Sequence, residues 1–170
     1  LMLIADNHDM TRLYPGVDEN FARYKMAMTF LATTRGIPQM LYGTELLMNA
    51  GPNGDHGRVR ADFPGGWSGD RVDAFKGKGL SDDVAAAQDF ISTLFTWRRD
   101  ATAIHNGDLL HFAPRDGIYI YFRFNEEQRV MVVMNNEPNA VHLDSSRYAQ
   151  GLAGATRARN VLTGDRHKLA

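Results

Sequence analysis

The chain has 170 residues, 44% of them hydrophobic, with 19 basic and 20 acidic side chains. That composition excludes a disordered tail, and a net charge of −1 argues against nucleic-acid binding by bulk electrostatics. The absence of cysteine excludes a disulfide scaffold, a thiol nucleophile and any cysteine-ligated metal site.

Leu1 to Ala5 reads as a short buried strand that ends in the polar run Asp6-Asn7-His8-Asp9. An apolar start with no basic region before it is not a signal peptide and reads as the middle of a longer protein. Pro15-Gly16 marks a turn, and Asp18 is expected to cap a helix. That helix carries Phe21, Tyr24, Met28 and Leu31 at helical spacing, and Gly36 closes it. Ile37 to Tyr42 is a second strand, with Pro38 tolerated only near its start. Residues 49–80 form a long glycine-rich connection, a length that marks a functional or disordered loop. A second helix starts at Ser81, with Val84, Ala87, Ile91, Leu94 and Phe95 as its apolar stripe and Arg98-Arg99 at its C-terminal end.

After about residue 104 the period changes from 3.6 to 2. Leu109 to Phe112 reads as a strand, and Ile118, Ile120, Phe122 and Phe124 alternate with Tyr119, Tyr121 and Arg123 as a half-buried one. A turn at Asn125 to Gln128 leads into Arg129 to Met134. Val141 to Leu143 is a further short strand, and Thr163-Gly164-Asp165 joins Arg157 to Leu162 with the segment from Arg166. The domain boundary is placed at 104/105, between an α/β part and an all-β part. No apolar run exceeds five residues, against the ~20 a spanning helix needs, so no membrane span is expected.

Two βα units in succession direct attention to the C-terminal ends of their strands, where α/β folds place their sites. Asn7, His8 and Asp9 stand there. The block Ile4 to Arg12 resembles the fourth conserved region of the alpha-amylase superfamily of glycoside hydrolases, with Ile4 where phenylalanine is commoner. Gly36 to Glu45 is similar to the eighth barrel strand of that superfamily, one helix further on. Asp62-Phe63-Pro64-Gly65-Gly66-Trp67-Ser68-Gly69-Asp70 looks like its neopullulanase and cyclomaltodextrinase branch.

The resemblance implies a specific arrangement. Residues 1–104 would be the last two βα units of a (β/α)8 TIM barrel, and 105–170 a small Greek-key β-sandwich C-terminal domain. Asp9 would be the third catalytic carboxylate, a transition-state stabiliser, and His8 would bind the same sugar. Asn7, Arg12, Phe63 and Trp67 join them as substrate-binding candidates. The nucleophile and the acid/base residue would come from the missing N-terminal barrel portion, so this chain alone is expected to be inactive. The full enzyme would be a retaining hydrolase of starch, pullulan or maltodextrins, binding α-glucan oligosaccharides or polysaccharides. No cofactor is expected in this chain, and calcium is left open for the full-length enzyme. The family branch points to a bacterial periplasmic or cytoplasmic enzyme without fixing which.

Other readings stand beside these. Asp9 and Glu45 as a two-carboxylate pair would need about 5 Å between the carboxyl groups. His8-Asp9 as a metal doublet would need several more ligands than the other histidines supply. Phe63 and Trp67 could anchor their loop rather than stack on sugars, and Tyr119, Tyr121 and Arg123 form either a glycan-binding face or a packed one. Lys76-Gly77-Lys78-Gly79 lacks phosphate-loop spacing. The rival functions are a non-catalytic carbohydrate-binding or structural β-sandwich domain, and a transglycosylase of the same fold. Barrel strands without their neighbours would expose edges and favour self-association.

Overall fold

The computed structural model describes residues 1–50 and 55–169, and Gly51 to Gly54 of the long loop lie outside the described residues, as does Ala170. The chain forms two compact units, one from residues 1–31 with 36–93, the other from 32–35 with 94–170. The boundary read from the sequence, 104/105, falls inside a short helix, Thr102–Asn106.

In the first unit β1 (Met2–Ile4) and β2 (Ile37–Gln39) pair in parallel, Leu3 opposite Pro38. Between them run α1 (Leu13–Gly16) and α2 (Phe21–Thr33). This is the expected strand–helix–strand order, with shorter strands and an added helical turn at the Pro15-Gly16 position. Pro15 fits there because the first turn of a helix leaves its N–H groups unpaired anyway. The cap of α2 is Asn20, not Asp18: the Asn20 side chain accepts the Arg23 N–H at 3.0 Å. Asp18 sits at a positive φ of 59° and pairs with Arg23 instead. Tyr24, Met28 and Leu31 are buried, as their spacing requires.

Gly36 serves the strand pair rather than the helix end. Its φ is +133°, and a Cβ there would lie 2.8 Å from the Leu3 side chain and 3.0 Å from the Leu1 carbonyl. Leu1, Met2, Ile4 and Ile37 remain exposed on this two-stranded pair. The long loop contains one helical turn, α3 (His56–Val59), capped by the Asp55 side chain. It leads to α4 (Asp82–Arg99), where Ala87, Ile91 and Leu94 are buried.

The second unit holds α5 (Thr102–Asn106) and an antiparallel meander of β3 (Asp108–Arg115), β4 (Ile118–Phe124) and β5 (Arg129–Asn135). β4 is the central strand and is buried on both faces, not one. Ile118, Ile120 and Phe122 pack with Tyr148 and Leu152, while Tyr121 packs with Ala101, Ala103, Ile104, Val130 and Val132. Gly151 lets the first cluster close, since a Cβ there would come within 2.2 Å of the Phe122 ring. The segment 141–143 is no strand. It pairs with none of the described strands, and the Asn135 and Asp144 side chains hold turns on either side of it. β6 (Arg157–Arg159) and β7 (Arg166–Lys168) make a separate hairpin. The antiparallel domain is therefore present, as a meander plus a hairpin and not as one Greek-key sheet. Among the described residues no helix is long and apolar enough to cross a membrane.

Arg123 holds this unit together. It is buried, and its guanidinium donates to the carbonyls of Thr33 (3.2 Å), Thr34 (3.0 Å), Ile104 (2.9 Å), Gly107 (2.9 Å) and Asp108 (3.3 Å). These are mostly helix-end carbonyls, which lack intrahelical donors and carry the negative end of the helix dipole. Burial, and then the nearby Arg35, push the Arg123 pKa down from its ordinary value. The packed reading of Tyr121 and Arg123 is the one the structure shows. Arg123→Ala is expected to cost about 3 kcal/mol or more, because it leaves several buried carbonyls without donors. Urea denaturation of the chain measures this, and a loss under 1 kcal/mol would refute it.

Two tyrosines have raised pKa values. Burial lifts both, helped at Tyr24 by the charges of Glu45 and Asp6. The Tyr24 hydroxyl donates to the Thr44 carbonyl at 3.0 Å, and Tyr121 shares a 2.5 Å hydrogen bond with Thr33. Their folded pKa values lie above the unfolded value, so their contribution to stability is complete below pH ~10 and lost as pH rises beyond it. Alkaline titration followed by tyrosinate absorbance should show these two ionising only with unfolding. Tyr121→Phe should flatten the loss of stability above pH ~10.

Candidate functional site

The loops that leave the carboxyl ends of β1 and β2 meet through one buried carboxylate. Asp6, almost fully buried, accepts the Leu13 N–H at 2.9 Å and the Thr44 hydroxyl at 2.9 and 3.0 Å. Leu13 follows the first loop and Thr44 follows β2. Charge-assisted bonds of this kind are shorter and stronger than neutral ones, which suits a carboxylate asked to join two segments. Asp6 is thus a scaffold residue at the base of the loop, and the three polar residues after it stand outside.

Arg12 makes the second tie. It is 1% exposed, and all three guanidinium nitrogens donate to main-chain carbonyls. Nε and Nη2 reach the Val59 carbonyl at 3.0 and 2.7 Å, and Nη1 reaches that of Tyr42 at 2.6 Å. Its guanidinium carbon also lies 5.2 Å from the Tyr42 ring centre. Arg12, read from the sequence as a substrate-binding candidate, is a buried clasp holding the β1 loop, the β2 loop and α3. Burial of a guanidinium requires this saturation with acceptors.

Above the scaffold, Asn7 folds the loop back by accepting the Asp9 N–H on its side-chain oxygen at 2.8 Å. That turn presents Asp9, whose carboxylate has two neighbours. Oδ1 accepts from Arg60 Nη2 at 2.7 Å, and Oδ2 lies 3.1 Å from His8 Nε2. Arg60 also donates through Nε to the His8 carbonyl at 3.1 Å. One arginine from the long loop therefore holds both the backbone and the carboxylate of the Asn7-His8-Asp9 turn. Asp9 and His8 stay about 60% exposed, so the carboxylate is oriented yet open to a ligand.

Arg60 was not legible as a functional residue. It lies 51 positions from Asp9 in a loop without periodicity, and only the fold brings the two together. Glu45 has one buried carboxylate oxygen without a hydrogen-bond partner among the described residues. Phe63 and Trp67 lie further along the long loop. With Asp62, Pro64, Gly65, Asp70, Arg71 and Val72 they line an open depression of about 270 Å³. Tyr42 pins the near end of this segment by donating its hydroxyl to the Ala61 carbonyl at 3.1 Å. Among the described residues no three His, Asp or Glu side chains are grouped as a metal site.

The Arg60–Asp9 pair is exposed, so its removal should barely touch global stability. Arg60→Ala is expected to change the unfolding free energy by less than about 1 kcal/mol. It should nevertheless speed amide exchange at residues 7–10 severalfold, because the turn loses its only long-range tie among these contacts. Unchanged exchange there would refute the role.

Comparison with known proteins gives a consistent set. Residues 109–170 match the family model described as the cyclo-malto-dextrinase C-terminal domain. The chain is 26% identical over 172 residues to a cyclomaltodextrin glucanotransferase from Klebsiella oxytoca, covering 89% of this chain and 25% of that protein. It is 27% identical over 164 residues to a cyclomaltodextrin glucanotransferase from Bacillus licheniformis, covering 92% of this chain and 20% of that protein. Among solved structures, an alpha-amylase from Geobacillus thermoleovorans complexed with acarbose superposes with a TM-score of 0.71 at 25% identity, covering 99% of this chain and 34% of that one. The chain thus spans a fifth to a third of the length of these relatives.

Proposed function

We propose, from the premise that this chain carries a C-terminal domain of the alpha-amylase family, that it is part of an enzyme acting on α-glucosidic bonds of starch, pullulan or maltodextrins. The observation that carries the reading is Asp9. It is an exposed, oriented carboxylate at the carboxyl end of a parallel strand, held by Arg60 and beside His8.

In this reading Asp9 accepts hydrogen bonds from the hydroxyls of the sugar at the reacting position. Such bonds tighten as the ring flattens toward the oxocarbenium-like transition state, so they lower the barrier more than they strengthen ground-state binding. Arg60 and Asn7 keep the carboxylate in place before substrate arrives, and preorganisation of this sort is where electrostatic stabilisation gains its size. His8 supplies a second polar contact to the same sugar. Phe63 and Trp67 stand at the rim. Arg12 and Asp6 act one layer below, through the backbone they hold.

Asp9 alone cannot cleave a glycosidic bond. Retaining hydrolysis needs a nucleophile and an acid/base carboxyl about 5 Å apart, and this chain is proposed to contribute neither. The chain by itself should release no reducing ends from maltodextrin above a no-protein blank. In an enzyme with the complete barrel, Asp9→Asn should lower kcat on maltodextrin by about 10²–10³-fold, the usual cost of one transition-state contact. Turnover by the isolated chain, or an unaffected Asp9→Asn enzyme, would overturn the assignment. A second reading, glucosyl transfer rather than hydrolysis, is favoured by the glucanotransferase relatives. Product analysis separates the two, since transfer yields cyclic or longer oligosaccharides.

A further inference from the structure

The hairpin of β6 and β7 carries a charge pattern that the Asp9 site does not use. Arg157 stands opposite Lys168, Ala158 opposite His167, and Arg159 opposite Arg166. Opposed residues share a face and successive ones alternate, so Arg157, Lys168, Arg159 and Arg166 all lie on one face. These four are exposed, and among the described residues none of them forms an ion pair. Ala158, on the other face, is half-buried. Like charges set directly opposite weaken a strand pair, and here no carboxylate compensates them. Overall basicity does not explain the cluster, because the chain has a net charge of −1.

The turn that joins the strands, residues 160–165, adds a second feature. Val161 and Leu162 are 40% and 37% exposed at its tip. The tip is held in shape. The Asn160 side-chain oxygen accepts the N–H groups of Leu162 at 2.9 Å and Thr163 at 3.4 Å, and the Asn160 N–H donates to the Asp165 carbonyl at 2.7 Å. Asp165 is the carboxylate of this turn, and its side chain accepts the Thr163 hydroxyl at 2.6 Å. At the other end, Leu169 donates to the Thr156 carbonyl at 2.8 Å and packs against the Phe122 cluster, which fixes the hairpin to its unit.

We propose that the β6–β7 hairpin docks on an anionic lipid bilayer, with Arg157, Arg159, Arg166 and Lys168 against the headgroups and Val161 and Leu162 at the acyl boundary. The order of chemistries along the hairpin selects this occupant. A row of cations ending in an apolar tip matches a surface whose charged layer overlies a hydrocarbon one. Single-stranded nucleic acid seeks aromatic stacking rings beside the cations, and the cationic face carries none. An acidic protein segment would neutralise the cations and leave Val161 and Leu162 in water. The tip buries little apolar area, so the affinity rests on the charges and falls as salt rises. The docking is independent of the function read from Asp9.

The experiment sediments the full chain with sucrose-loaded vesicles of phosphatidylcholine alone and of an equal mixture with phosphatidylglycerol. Salt-sensitive binding to the mixed vesicles is expected, with none to the neutral ones. Arg157→Gln combined with Arg159→Gln should weaken it by about fivefold per charge removed, with an unchanged thermal melt. Val161→Ser combined with Leu162→Ser should weaken it severalfold and leave the salt dependence in place. No binding to mixed vesicles at low salt would overturn the proposal. Equal binding to neutral vesicles would overturn the part given to the cations. Full retention by both variants would move the contact to other exposed apolar residues, such as Leu1 and Ile37, and overturn the hairpin's role. Polyglutamate or a single-stranded oligonucleotide that binds more tightly than the mixed vesicles would overturn the lipid occupant.

Discussion

A buried guanidinium surrounded by main-chain carbonyls organises each of the two units. Arg12 does so in the first, with the carbonyls of Val59 and Tyr42, and Arg123 in the second, with five carbonyls from residues 33–34 and 104–108. The physical demand is the same in both. Irregular backbone inside a protein needs donors for its carbonyls, and an arginine offers five N–H groups in a rigid fork. A lysine would bring a point charge without the fork, and a carboxylate partner would consume donors that the backbone requires. Everything nearer the surface depends on these ties, since the loops they hold have few ladder bonds of their own.

The candidate site shows what such a foundation permits. Asp6 and Arg12 set the shape of the β1 loop from below, and Asn7 and Arg60 set the direction of Asp9 from above. The carboxylate can then remain exposed without being loose. Buried polar groups pay for their desolvation through complete bonding, while Asp9 keeps its solvent access. The division of labour separates a rigid base from an open tip within one turn of chain. Under the function proposed for Asp9, such preorganisation matters because a charge that must reorient during reaction loses much of its effect.

The second unit solves a different problem. β4, the central strand of the meander, is covered on both faces, by Tyr148 and Leu152 on one side and, around Tyr121, by Ala101, Ala103 and Ile104 on the other. Alternation along β4 was visible as apolar against aromatic residues. Alternation of that kind usually separates inside from outside, and here it separates two interiors. Tyr119, Tyr121 and Arg123 could be read either way because aromatic and arginine side chains are equally at home on a sugar-binding face and in a packed one. Burial decides between them, and burial is a property of the surroundings.

The local periodicities determined a good deal by themselves. The strand–helix–strand order, the apolar stripes of α2 and α4, the switch to period two and the place of Asn7-His8-Asp9 at a strand end all follow from spacing and from residue chemistry over a few positions. The cap at Asn20, the helical turn at Pro15 and the missing strand at 141–143 did not, since Asp18 and Asn20 are equally good caps on paper and a strand needs a partner. Asp9 stood out because it lies in a contiguous polar run at a strand end, where the resemblance also places a role. Arg60 and Arg12 were not legible in the roles they take, because those roles are set by contacts with residues up to 52 positions away. Sequence specifies what each short segment prefers, and only the tertiary structure decides which distant donor meets which acceptor, because that choice depends on burial and geometry that no single segment contains.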